Sequence, residues 1–256
     1  MQQERKGKFY DWEKELFRTA VFQSYDLSVA GGTESTKYYS SFAYTSDKGR
    51  AITNEFSRLA GRVNVAQKVG KHVEFETNIN LARTEKEGFN DTRNTNTNYF
   101  MQVRNLLWPF YWPTNYKTGD LYTDRFGSLA RNHVYYQDKW ENSSVNFKVQ
   151  ASEKLTVHIL DGLDLTSTFS YDNTEVKDQI YYSAEHFNGS SVNGSIDVMS
   201  TNYEIVTSST LLNYNKTFKD KHTLSALVGF EAQNNKTVFQ RSSGENLPTS
   251  ALNTVS

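Results

Sequence analysis

Five histidines, His72, His133, His158, His186 and His222, are the first residues here that could do chemistry, as metal ligands or proton carriers. A metal site built from the local sequence needs imidazoles at short spacings, and no pair stands as HxH or HxxxH. Exposed or strand-end histidines are the simpler reading, and no metal is expected. Asp161 and Asp164, with Gly162 between them, read as turn residues and not as an acid–base pair. Glu74 and Glu76 would share one face of a strand, where a wet surface accounts for them without catalysis. Cysteine is absent, which removes thiol nucleophiles, thiolate metal sites and disulfides. There is no phosphate-cradling glycine loop and no nucleophile elbow. Neither an enzyme nor a cofactor is expected. The Asn-x-Ser/Thr sequons beginning at Asn90, Asn142, Asn188, Asn193, Asn215 and Asn235 would suggest glycosylation in a eukaryotic secreted chain. In a bacterial chain they are Asn/Ser/Thr-rich loops.

The residues best suited to touch a ligand are aromatic. Leu106–Pro113 carries Trp108, Phe110, Tyr111 and Trp112 together with Pro109 and Pro113. Exposed rings of this kind stack on sugars or on a partner's apolar surface, and proline stiffens their presentation. The alternative is that they form the small core of their own loop. With 28 basic and 29 acidic side chains there is no basic excess to attract nucleic acid, and no nucleic-acid partner is expected. Aromatics reach 14%, far from a disordered composition. No apolar stretch approaches the roughly 18 residues of a membrane-spanning helix. The first residues are polar and lead into no apolar core, so no signal peptide is expected. That leaves an intracellular protein or a piece of something larger.

The elements that must position these residues are strands. One short helix is expected near the start, capped by Asp11, with Trp12, Leu16 and Phe17 at helical spacing. From Ser24 onward period two dominates. Tyr25, Leu27 and Val29 alternate with polar residues, and Lys37–Thr45 follows with tyrosine on both faces, leaving its facing open. In Phe56–Gln67 the residues Leu59, Val63 and Val65 oppose Arg58, Arg62 and Asn64. The cleanest alternation is His72–Ala82, where Val73, Phe75, Thr77, Ile79 and Leu81 oppose Glu74, Glu76, Asn78 and Asn80. Similar rows run through Val145–Ala151, Leu163–Tyr171, Val206–Tyr214 and Leu224–Phe230. The fold class is therefore all-β, with about eight antiparallel up-and-down strands of about ten residues, the length that crosses a bilayer when tilted.

Connection lengths alternate. Short ones are expected at Gly31–Ser35, Val69–Lys71, Ser152–Lys154 (or on to Gly162) and Phe218–Lys221; long ones at Ser46–Glu55, Thr84–Trp140 and Asp172–Asn202. Short turns at one end and long loops at the other are the outer-membrane barrel pattern. Tyr25, Tyr38, Tyr39, Tyr44, Trp140, Tyr171, Tyr203, Tyr214 and Phe230, near strand ends, would serve as interfacial girdles. Residues 1–23 would lead into the barrel and 24–256 would be barrel wall, with outer loops at about 84–140 and 172–202.

The N-terminal residues are more specific. Asp11-Trp12, Leu16-Phe17-Arg18-Thr19-Ala20 and Gln23–Gly32 resemble a signature stretch of the SusC/RagA-like TonB-dependent outer-membrane transporters of Bacteroidetes. The likeness continues through Thr36–Tyr39, Asp47–Gly49, Phe56–Arg58 and Gly61–Asn64, and returns at Thr210–Phe218 and Leu227–Glu231. The resemblance implies a large transmembrane barrel in the bacterial outer membrane, in contact with its lipid. It implies an N-terminal plug, a SusD-like surface lipoprotein as lid, and import of glycan or peptide cargo driven by the TonB complex. Signal peptide, TonB box, plug and closing strands are not seen here, so a wall fragment is expected. At about 32 residues per strand with its loop, a 22-strand plugged barrel needs about 700 residues. Arg58, Arg62, Asn64, Glu74, Glu76, Asn78 and Asn80 would then face the lumen and its plug. Two rivals remain: a soluble carbohydrate-binding β-sandwich, and a small complete eight-strand outer-membrane barrel.

Overall fold

The computed structural model describes residues 7–89, 98–127, 129–219 and 221–249; the sequon at Asn90 lies outside them. One antiparallel sheet holds every strand, in the order of the chain: β1 (Val21–Gly32), β2 (Thr36–Lys48), β3 (Glu55–Val69), β4 (Val73–Glu87), β5 (Trp140–Leu160), β6 (Leu163–Tyr182), β7 (Ser195–Phe218) and β8 (His222–Glu245). β1 pairs only with β2, and β8 only with β7. A single open sheet is neither a two-sheet sandwich nor a closed eight-strand barrel. Among the described residues three short α-helices lie outside it, α1 (Trp12–Leu16), α2 (Tyr99–Asn105) and α3 (His133–Tyr136), with one 3₁₀ turn at Ser190–Val192. Among the described residues no helix is long and apolar enough to cross a membrane, which says nothing of strands.

Directly opposed residues in an antiparallel ladder share a face, so the register sorts every strand. Val73, Phe75, Thr77, Ile79 and Leu81 of β4 lie in rows with Val69, Gln67, Val65, Val63 and Gly61 of β3 and with Val157, Leu155, Glu153, Ala151 and Val149 of β5. Followed across the sheet, this face is apolar near the short turns. It carries Tyr25, Leu27 and Val29 on β1 and Leu224, Ala226, Val228, Phe230 and Ala232 on β8. Tyr38, Phe42 and Tyr44 of β2 join it while Tyr39 points the other way, which settles the facing of that strand. Of the expected girdle aromatics, Tyr39, Trp140 and Tyr203 lie on the opposite, polar face. Glu153 is the one carboxylate within the apolar run of β5, and it accepts a hydrogen bond from Thr77 Oγ1 at 2.5 Å.

The apolar band does not follow the hydrogen-bond rows. The row through Leu27, the centre of the β1 run, passes Phe42, Gly61, Leu81, Val149, Asn173 and Glu204 and ends at Lys236. The β8 run is centred on Val228, eight residues (236 to 228) nearer the short-turn end. Eight residues at about 3.4 Å, over seven steps of about 4.8 Å, is a slope of about 40°. That is the tilt of barrel strands, about 35–45°. At that tilt the run from Leu224 to Ala232 spans about 21 Å along the normal, most of the roughly 25 Å apolar band of transmembrane barrels.

The strands run on beyond the band, to 24 residues in β7 and β8. The expected turn at Ser152–Lys154 is therefore strand: Glu153 is held by Thr77 and Lys154 donates to Glu76 at 3.0 Å, and the chain reverses at residues 161–162. The expected loop Asp172–Asn202 shrinks to residues 183–194, and the longest connection runs from 88 to 139. Above the band both faces are wet, so alternation disappears from the sequence while backbone pairing continues. The outer connections are 49–54, 88–139 and 183–194, all at the end where β1 enters and β8 leaves; the other end has turns of two or three residues. Gly162 has φ +83°, and a Cβ there would lie 2.4 Å from the Asn215 carbonyl oxygen, so this tight turn requires glycine.

Candidate functional site

Two regions carry the polar and aromatic residues that could meet a ligand. The first is the polar face of the wall. Register brings Arg58, Arg62, Asn64, Glu74, Glu76, Asn78 and Asn80 onto one face of β3 and β4, with Arg62 opposite Asn80, Asn64 opposite Asn78, and Arg58 opposite Thr84. Arg62 Nε donates to Asn64 Oδ1 at 3.1 Å, and its guanidinium lies 5.9 Å from the Tyr39 ring centre. Lys68 pairs with Glu74 at 3.0 Å, and Lys154 with Glu76 at 3.0 Å. His158 Nδ1 contacts Asp164 at 2.6 Å. Both glutamates are thus neutralised from neighbouring strands, whereas Arg58 has no ion pair among the described residues. Further along, Gln150 donates to Asp172 at 2.5 Å. Among the described residues no group of three or more His, Asp or Glu could hold a metal ion.

The second region caps the long-loop end. Residues far apart in sequence meet in one small core: Trp12, Leu16, Ala51, Tyr99, Leu107 and Ala130. Asp11 Oδ1 caps α1 by accepting from the Lys14 backbone N–H at 3.2 Å, which turns Trp12 and Leu16 to the same side. Arg18 fastens the entry to β1 through Gly49 O, Asn54 O and the Glu55 carboxylate. The aromatic run divides between core and surface. Tyr111 stacks on Phe126 at 5.1 Å and 11°, and its carbonyl accepts from Trp12 Nε1 at 3.0 Å. Trp112 lies 5.3 Å from Tyr10. Trp108 and Phe110 stay exposed, at 56% and 39%. Trp108 borders an open cleft of about 490 Å³ with Phe9, Tyr10, Arg104, Leu107 and Pro109.

A cleft of about 620 Å³ lies at the outer strand ends, lined by Asp47, Glu55, Lys86, Glu87, Asn142 and Asp178 among others. Sequence reasoning met Asp47 in the family likeness and Asn142 as a sequon, but did not gather these residues into a site. They sit at the outer ends of five different strands and share no local motif, so only the register brings them together. The same holds for the buried loop histidines His133 and His186, which the sequence offers as exposed or strand-end residues but which are each 1% exposed.

A tilted antiparallel sheet, apolar on one face in a band of membrane height and polar on the other, is a stretch of transmembrane β-barrel wall. No family model matches the chain. It is 23% identical over 228 residues to the TonB-dependent receptor P39 of Formosa agariphila, covering 87% of this chain and 21% of that protein. It is 36% identical over 69 residues to the TonB-dependent receptor SusC of Bacteroides thetaiotaomicron, covering 27% of this chain and 7% of that protein. Among solved structures, the RagAB peptide importer in its open-open state matches with a TM-score of 0.76 and 21% identity, over 96% of this chain and 27% of that chain. Over most of its length the chain is thus similar to TonB-dependent receptors, and its fold matches about a quarter of the solved importer chain. It spans about a fifth of the length of the first curated relatives it matches. Those relatives are TonB-dependent receptors by name.

Proposed function

We propose that this chain forms part of the wall and outer mouth of an importer of oligosaccharides or peptides, working with a SusD-like surface lipoprotein and powered by the TonB complex. The observation that carries the reading is the apolar band tilted by about 40° on one face of the sheet, with hydrated side chains along the other. Residues 24–256 supply wall and outer loops, and the segment before them leads into the first strand. The apolar face meets outer-membrane lipid. Arg58, Arg62, Asn64, Glu74, Glu76, Asn78 and Asn80 face the lumen, where Arg58, with no ion pair among the described residues, is placed to meet an acceptor from plug or cargo. Trp108 and Phe110 present their rings to cargo or lid at the mouth, while Tyr111 and Trp112 hold the loop that carries them.

The test is uptake by cells carrying the intact transporter, with labelled oligosaccharides and labelled peptides supplied separately. One class enters in a TonB-dependent manner, and the lipoprotein encoded beside the transporter co-purifies with it. Equal accumulation with and without the transporter for both classes refutes the reading.

A further inference from the structure

The two longest outer connections, 88–139 and 183–194, meet around a pair of buried histidines. His133 opens α3 and packs 4.9 Å from Tyr99 of α2. His186 lies in the other connection, stacked on Tyr182 at 4.9 Å and edge-on to Tyr136 of α3 at 5.4 Å. The Arg131 guanidinium, from the first connection, covers Phe187 of the second at 4.6 Å. The Ser183 backbone N–H donates to the Lys139 carbonyl at 2.9 Å, tying the two together. We propose that His133 and His186 form an acid-released clasp that holds these two connections against each other.

The hydrogen bonding requires a neutral His186 ring and offers no acceptor for a charged His133. His186 Nδ1 accepts from the Asn188 backbone N–H at 3.1 Å, so a proton on Nδ1 would set donor against donor. His133 Nε2 is buried with no partner among the described residues, and a second N–H on that ring gains no acceptor. The charged neighbours do not help. Arg131 is a fixed cation beside both rings; the titratable groups packed on them are Tyr99, Tyr136 and Tyr182, and burial raises the Tyr99 and Tyr136 hydroxyls further above neutral pH. At the rim, Glu185 is taken by Lys139 at 2.9 Å and by the Tyr135 hydroxyl at 3.4 Å. Asp138 also lies beside Lys139, while Asp124 and Arg125 act on Tyr136 and Arg131.

Burial, followed by the neighbouring cations, lowers both imidazoles to about 3 in the clasped state. Released, each returns to about 6.5. A depressed histidine favours the clasp above its released value and ceases to do so as pH falls from about 6.5 toward 3. Between pH 7.5 and pH 5 each ring shifts the clasped-to-released ratio about 30-fold toward release, and the two together about a thousandfold.

The test is hydrogen exchange of the Ser183 amide in the intact transporter, corrected for intrinsic rate, at pH 7.5 and pH 5. Wild type loses about a thousandfold in protection, and His133→Phe and His186→Phe about 30-fold each. The double variant keeps its protection, and a His→Gln set repeats the comparison if phenylalanine does not fit. Unchanged wild-type protection overturns the proposal. So does an equal loss in wild type and all variants, which would assign the acid response to carboxylates such as Glu185.

Discussion

Ile79 and Asn80 are neighbours in β4, yet the register sends them to opposite faces. Ile79 lies in a row with Val63 and Ala151 near the middle of the apolar band, and Asn80 in a row with Arg62 and Gln150 on the polar face. Arginine at position 79 must bring a guanidinium into hydrocarbon, at a cost of about 2–4 kcal/mol near the bilayer midplane. That is about 30- to 900-fold in the folded-to-unfolded ratio. Arginine at position 80 meets water and amides, and is expected within about 0.5 kcal/mol of wild type. The assay is urea unfolding of the intact transporter in lipid vesicles, followed by tryptophan fluorescence. Ile79→Arg should lower the midpoint clearly while Asn80→Arg leaves it in place. Equal shifts, or a larger one for Asn80→Arg, would refute the assignment of faces.

Glu153→Leu should raise the stability of the same vesicle preparation by about 1 kcal/mol, because it removes a carboxylate from the lipid side where, among the described residues, Thr77 alone bonds it. Gly162→Ala should lower the thermal midpoint, the strained φ alone costing about 1–3 kcal/mol before the collision with the Asn215 carbonyl. Trp108→Ala should weaken cargo or lid binding at the mouth by about 5- to 30-fold in a titration, with little change in melting. Trp12→Ala, by contrast, empties the cap core at a cost of about 3–5 kcal/mol, seen as protease sensitivity of the outer loops.

The lower half of each strand is legible from sequence, because lipid on one side and water on the other force alternation; His72–Ala82 shows it most clearly. The upper halves of β6 and β7 are not, since residues such as Asn173, Glu175, Asn202 and Glu204 are polar on a face that has left the band. Ser152–Lys154 mimics a turn for a related reason, a polar triplet whose partners Thr77 and Glu76 are supplied by β4. The shared facing of Arg58, Arg62, Asn64, Glu74, Glu76, Asn78 and Asn80 follows from parity once the two strands are paired. The division within Trp108–Trp112 does not. It depends on Tyr10, Trp12 and Phe126, whose approach is set by folding of the whole cap. The helix at Trp12–Leu16 was readable from its cap and spacing, but what it packs against was not.

Spin labels placed singly from position 73 to 82 in the intact, membrane-embedded transporter test the account most directly. The described chain brings no native cysteine to interfere with labelling. Positions 73, 75, 77, 79 and 81 should collide readily with oxygen dissolved in lipid, and 74, 76, 78, 80 and 82 with a water-soluble nickel chelate or a packed interior. Water accessibility on both faces, or the absence of a two-residue period, would contradict a transporter wall.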